Sequence, residues 1–127
     1  MRIIFMLTCI ALLSSCSSAP TPSLADALPK QADGWTLAST TQLEMSAVPP
    51  VVEQLGLSRG ILATYTGPAT LTVRVFEMKV ATSAFELIQK WRQQDGLAVY
   101  TGPYFIVADP VAPNAAALLE ALRKNMK

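Results

Sequence analysis

The two runs Gly60–Gly67 (GILATYTG) and Ala69–Met78 (ATLTVRVFEM) decide how this chain folds. Both are rich in β-branched and aromatic residues, and a Gly-Pro pair separates them, so they predict two strands joined by a tight turn. In the second run Leu71, Val73 and Val75 share one face, against Thr70, Thr72 and Arg74 on the other. That period of two is the mark of a strand with one face in a core.

Outward from this hairpin, helices alternate with strands. Trp35–Ala38 alternates and predicts a first strand. Pro49-Pro50 opens a short helix through Leu55, where prolines are tolerated in the first turn and Gly56 is placed to end it. After the hairpin, Ser83-Ala84-Phe85-Glu86 has the form of a capping box. Ala84, Leu87, Ile88 and Trp91 follow at the spacing of one apolar helix face, and Asp95-Gly96 stops the helix. The runs LAVYTG and YFIVAD predict a second hairpin. Pro113 opens a last helix on which Ala115, Leu118, Leu119 and Leu122 repeat the apolar spacing. Arg123, Lys124 and Lys127 fall at its C-terminal end, where the helix dipole favours cations.

The order β-α-ββ-α-ββ-α predicts an α+β domain: a mostly antiparallel sheet of about five strands, with two or three helices packed on it. Tyr-Thr-Gly-Pro occurs twice, at Tyr65–Pro68 and Tyr100–Pro103. An internal duplication would produce such a repeat, but two hairpin turns explain it more simply, because the match does not continue into its flanks.

The N-terminus carries a different kind of information. Arg2 precedes an apolar stretch, Ile3–Leu13, of the length of a secretory h-region and well short of the ~20 residues a membrane-spanning helix needs. Leu13-Ser14-Ser15-Cys16 resembles the bacterial lipobox, a branched apolar residue and two small ones before the acceptor cysteine. The resemblance implies a lipoprotein signal peptide at 1–15, cleavage between Ser15 and Cys16, and a diacylglyceryl group on the Cys16 thiol. Two or three acyl chains hold a protein to a membrane far better than one, whose binding constant is only ~10⁴ M⁻¹. Ser17, where an aspartate would favour inner-membrane retention, points to the outer membrane facing the periplasm. Residues 16–28, rich in Ser, Pro and Ala, read as a flexible tether, and 29–127 as one domain.

Composition excludes several functions. The chain has 10 Lys and Arg against 9 Asp and Glu, and loss of Arg2 with the leader leaves nine of each. Arg59, Arg74, Lys90 and Arg123 are scattered, so no basic stripe exists for nucleic acid. The two cysteines, Cys9 and Cys16, leave the domain without a disulfide, and the absence of histidine removes the commonest metal ligand and general base. No metal or cofactor is expected.

The ordered features LPKQADGW, GILATYTGPATLTVRVFEM and ATSAFELIQKW resemble an uncharacterised family of secreted and lipid-anchored bacterial proteins. That resemblance covers most of the domain and implies no activity and no site residues.

Gly56-Leu57-Ser58-Arg59-Gly60 spells the G-x-S-x-G of hydrolase nucleophile elbows. The elbow needs a strand before the serine, a helix after it and a histidine base. Here the element order is reversed and histidine is lacking, so Ser58 marks a helix stop and a strand start. Glu77, Glu86 and Asp109 are the remaining catalytic option, a carboxylate pair of the glycan-hydrolase kind. Capping and solvated roles are the default reading of these three carboxylates. Arg74 either lays its stem across the sheet with its head in water or anchors an anion. With Tyr65, Tyr100 and Tyr104 it forms the candidate binding patch. The functional expectation is a non-catalytic envelope lipoprotein whose domain contacts a protein partner or small ligand, held to the membrane through Cys16. The alternatives are a histidine-free glycan hydrolase and a hydrophobic-ligand carrier, which needs an internal apolar cavity.

Overall fold

The structure is a computed structural model that describes residues 23–91, 96–109 and 113–126. The leader, the Ser15–Cys16 cleavage site, Cys16, Asp95 and Lys127 lie outside the described residues. The elements run β1 (Gln31–Ala32), β2 (Trp35–Gln42), α1 (Pro50–Gln54), β3 (Leu57–Thr66), β4 (Thr70–Met78), α2 (Ala81–Lys90), β5 (Leu97–Thr101), β6 (Tyr104–Asp109) and α3 (Pro113–Asn125), with 3₁₀ turns at Leu24–Ala27 and Met45–Ala47.

The strands form one antiparallel sheet in the order β1-β2-β3-β4-β6-β5. The α+β class is as expected. The strand beyond the expected five is β1, a two-residue piece that turns through Asp33-Gly34 into β2. Both turn residues have positive φ, +47° and +88°, as a type I′ hairpin turn requires.

Helices cover both faces. On one, α3 sets Ala115, Leu118, Leu119 and Leu122 against Ile61, Ala63, Tyr65, Leu71, Val73, Val75, Ile106 and Ala108. On the other, α1 and α2 bring Val52, Ala84, Leu87 and Trp91 onto Phe76, Met78, Phe105 and Val107. At Val75 and Phe76 strand β4 is therefore apolar on both sides, before Glu77 returns a charge to the α3 face. That is why strict alternation in this strand gives way to Val75-Phe76 in mid-run.

Two local expectations are corrected. Ser83 is not the cap of α2: the helix begins at Ala81 after Val80 in extended conformation, with no side-chain cap bond, so Glu86 is an exposed residue of the second turn. Nor does the tether reach residue 28. Leu24 and Leu28 are buried in the α3-face core, and the Asp26 carboxylate accepts the Ser23 backbone N–H at 3.1 Å. Two apolar residues four apart inside a Ser/Pro/Ala-rich run were enough to dock it.

Tyr65 fastens that segment to the sheet. Its ring is fully buried and its hydroxyl donates to the Pro29 carbonyl at 2.7 Å. Burial pushes the phenol well above its ordinary pKa. The unfolded chain releases this proton near pH ~10, while the fold still holds it. The folded state then binds more protons, and stability falls as pH rises beyond that point. Below pH ~10 both states carry the proton and the contribution is complete. Tyr65→Phe should cost ~1 kcal/mol at pH 8 through the lost hydrogen bond. It should also flatten the alkaline loss of stability, measured as urea midpoints at pH 8, 10 and 11. A variant whose alkaline decline matches the wild type would refute the assignment.

Candidate functional site

The four residues expected to form a patch are distributed over the whole sheet. Tyr65 and Tyr104 lie on the α3 face, and Arg74 and Tyr100 on the α2 face. Tyr65 is a core residue, so it presents nothing to a ligand. The two Tyr-Thr-Gly-Pro phrases both turn hairpins, yet their tyrosines point to opposite faces. The first turn spans Gly67–Ala69, and the second is the two-residue Gly102-Pro103.

Tyr104 belongs to a cross-strand row with Arg59 and Glu77. The Arg59 guanidinium donates to both carboxylate oxygens of Glu77, Nε to Oε1 at 3.0 Å and Nη2 to Oε2 at 3.1 Å. Hydrogen bonding to Glu77 raises the Arg59 pKa, against the opposing effect of burial. Burial first, and then the Glu77 charge and hydrogen bond, raise the Tyr104 phenol. Arg59 also borders a depression of about 280 Å³ between the Leu24–Ala27 turn and β2–β3, lined with Ser23, Thr40, Thr41 and Gln42. Leu24, Ala25, Gly60 and Ile61 complete the lining and Glu77 offsets its one charge, so the depression is largely apolar and is not an anion site.

Arg74 lies where α2 ends. Its guanidinium meets Asp109 at 3.3 Å and stands 5.8 Å from the Trp91 ring centre, a cation–π distance. The head is thus held by protein groups rather than extended into water. Beyond it, Ser39, Thr64 and Thr72 align across three strands as a row of hydroxyls.

The carboxylates do not converge. Glu77 faces α3 and grips Arg59, Asp109 faces the α2 side and grips Arg74, and Glu86 stands exposed on α2. A carboxylate-pair mechanism needs two such groups ~5–10 Å apart across one bond, and residues on opposite faces of a sheet do not provide it. Ser58 is exposed at the start of β3, beside a bulge between Leu57 and Arg59, with a strand rather than a helix after it. Among the described residues no group of three or more Cys, Asp or Glu is placed to hold a metal ion. None of the described helices is long and apolar enough to cross a membrane.

What sequence reading missed is the β5 edge. Only β6 pairs with β5, whose outer side carries no strand among the described residues. Strand β5 (LAVYT) contains no charge and no proline, the usual guards of a sheet edge. The opposite edge is guarded, by a two-residue β1, a bulge at Ala38 and a run of Ser, Thr and Gln. A groove of about 290 Å³ runs along β5, with Ala98, Val99 and Tyr100 as its floor, Ile88 of α2 on one wall, and Glu120 and Arg123 of α3 on the other. On the α2 side Phe85 and Tyr100 are both exposed, at 47% and 36%, and meet edge to face with ring centres 5.8 Å apart. The signal for this surface was Phe85 itself, a large apolar residue off the helix's buried face. Comparison with protein families, with characterised proteins and with solved structures finds no match to this chain.

Proposed function

We propose that this chain is a lipid-anchored protein of the bacterial envelope that works by protein contact rather than catalysis, using the β5 edge as its contact surface. The observation that carries the reading is the exposed Phe85–Tyr100 pair beside an unguarded strand edge. Main-chain groups along such an edge supply affinity, and flanking side chains supply selectivity. The anchor rests on the lipobox at Leu13–Cys16, and the periplasmic face of the outer membrane on Ser17. Because Leu24 is already seated in the core, the tether is shorter than a domain start near residue 29 implies. The eight residue steps from Cys16 to Leu24 would reach ~25 Å when extended at ~3.1 Å per residue. The contact surface then works within a molecular diameter of the membrane.

The test is site-specific photo-crosslinking of the full chain in a Gram-negative cell, with the reactive group at position 85 or 100, and at exposed Glu53 of α1 as the control. Discrete protein adducts are expected from 85 and 100 and not from 53. Cys16→Ala should release the protein from the membrane fraction. Equal yields at all three positions would refute the contact surface, and a membrane-bound Cys16→Ala would refute the anchor.

A further inference from the structure

We propose that the partner of the β5 edge is a second copy of this chain, paired strand to strand about a two-fold axis. The inference rests on the contact-surface reading above and names its occupant. An antiparallel partner for β5 is supplied by β5 itself, five residues long in each copy. Pairing them about an axis through the sheet joins the six strands of one copy to the six of the other as one continuous sheet. Such an interface is isologous, with each copy offering the same patch.

The groove walls fit that symmetry. The axis sets α3 antiparallel to α3 of the second copy on one face, and α2 beside its counterpart on the other. Glu120 and Arg123 lie one turn apart on the α3 wall and already pair within a copy at 3.0 Å. Reversal of the helix brings Glu120 opposite Arg123 of the second copy, and Arg123 opposite Glu120. The rim is thus neutral in sum and complementary to itself. On the other face Phe85, Ile88, Ala98 and Tyr100 make a continuous apolar strip that the same rotation lays against itself. Anchoring both copies to one membrane raises their effective concentration, so a modest intrinsic affinity suffices.

The full chain, purified from membranes in mild detergent, is examined by sedimentation and by chemical crosslinking in intact membranes. The wild type is expected to sediment as a dimer at tens of micromolar. Phe85→Lys, at an exposed helix position that leaves the fold intact, should weaken the dimer ~10-fold or more by placing like charges on the axis. Glu120→Arg and Arg123→Glu should each weaken it by ~3–10-fold, and the double reversal E120R/R123E should restore it to within ~2-fold. Circular dichroism confirms that each variant is folded. A wild type that stays monomeric at ~100 μM, or a dimer indifferent to Phe85→Lys and to the charge reversals, overturns the proposal. If the chain is monomeric but crosslinks from position 100 to another envelope protein, self-pairing is wrong and the contact surface stands. If both are missing, both readings fall.

Discussion

Phe105→Ala is expected to remove ~3–5 kcal/mol of stability, a large part of the ~5–15 kcal/mol a domain of this size possesses. Phe105 is fully buried at the centre of the α2-face core. Trp91 meets its ring edge to face at 4.9 Å between centres, and Phe76 lies beside it at 6.4 Å. Truncation leaves a ring-sized void between a sheet and a helix that hold each other apart. Neither can collapse into the space without losing Trp91 or Phe76 from its own packing. The urea midpoint should fall by roughly 2–4 M with the slope unchanged, whereas Phe105→Leu should recover more than half of the loss. A loss below ~1 kcal/mol would mean that α2 is not seated on Phe105.

The second large effect is expected at Gly96, the residue that brings the chain into β5. Its φ is +99°, where an L side chain is strained. A Cβ there would also stand 2.6 Å from Val107 Cγ1 and 2.6 Å from Asp109 Oδ1. Gly96→Ala therefore combines backbone strain with overpacking and should cost ~2–4 kcal/mol. Gly102 separates the two causes. Its φ is +53° with open space around the missing Cβ, so Gly102→Ala should cost only ~1–2 kcal/mol. Thermal midpoints of the two variants give the comparison directly. Equal losses would show that Val107 and Asp109 both shift to relieve the clash at Gly96. In that event the Arg74–Asp109 ion pair should weaken as well.

Much of the fold was legible because its elements obey single-strand or single-helix periodicity. Leu71, Val73 and Val75 announced β4, and Ala115, Leu118, Leu119 and Leu122 announced α3, each by the spacing of its buried face. Reading failed where the decision lay in tertiary packing. Leu24 and Leu28 carry too little local pattern to outweigh the prolines around them, and they are ordered only by the core they enter. The β1 strand was hidden for the opposite reason. Asp33-Gly34 is a strong hairpin signal, but only two residues precede it in the sheet. Ser83 and Glu86 matched a capping pattern that the helix start at Ala81 overrode. Tyr65, Arg74, Tyr100 and Tyr104 were grouped by residue type, whereas sheet register assigns two to each face. The β5 edge was beyond reach because strand order is a property of pairing. Nothing within LAVYT reveals that it ends the sheet.

The strand order also governs when this protein is able to fold. Strand β4 pairs not with β5, which follows it, but with β6, whose residues 104–109 come near the end of the chain. The α3-face core closes only with residues 115–122, later still. A chain synthesised from its N-terminus therefore has the inner edge of β4 open and one face of its sheet uncovered until residues 104–122 are made. Non-local pairing of this kind is slow to form. Until then a partly made chain keeps an open β4 edge and a bare apolar sheet face, and cooperative closure waits for β6 and α3.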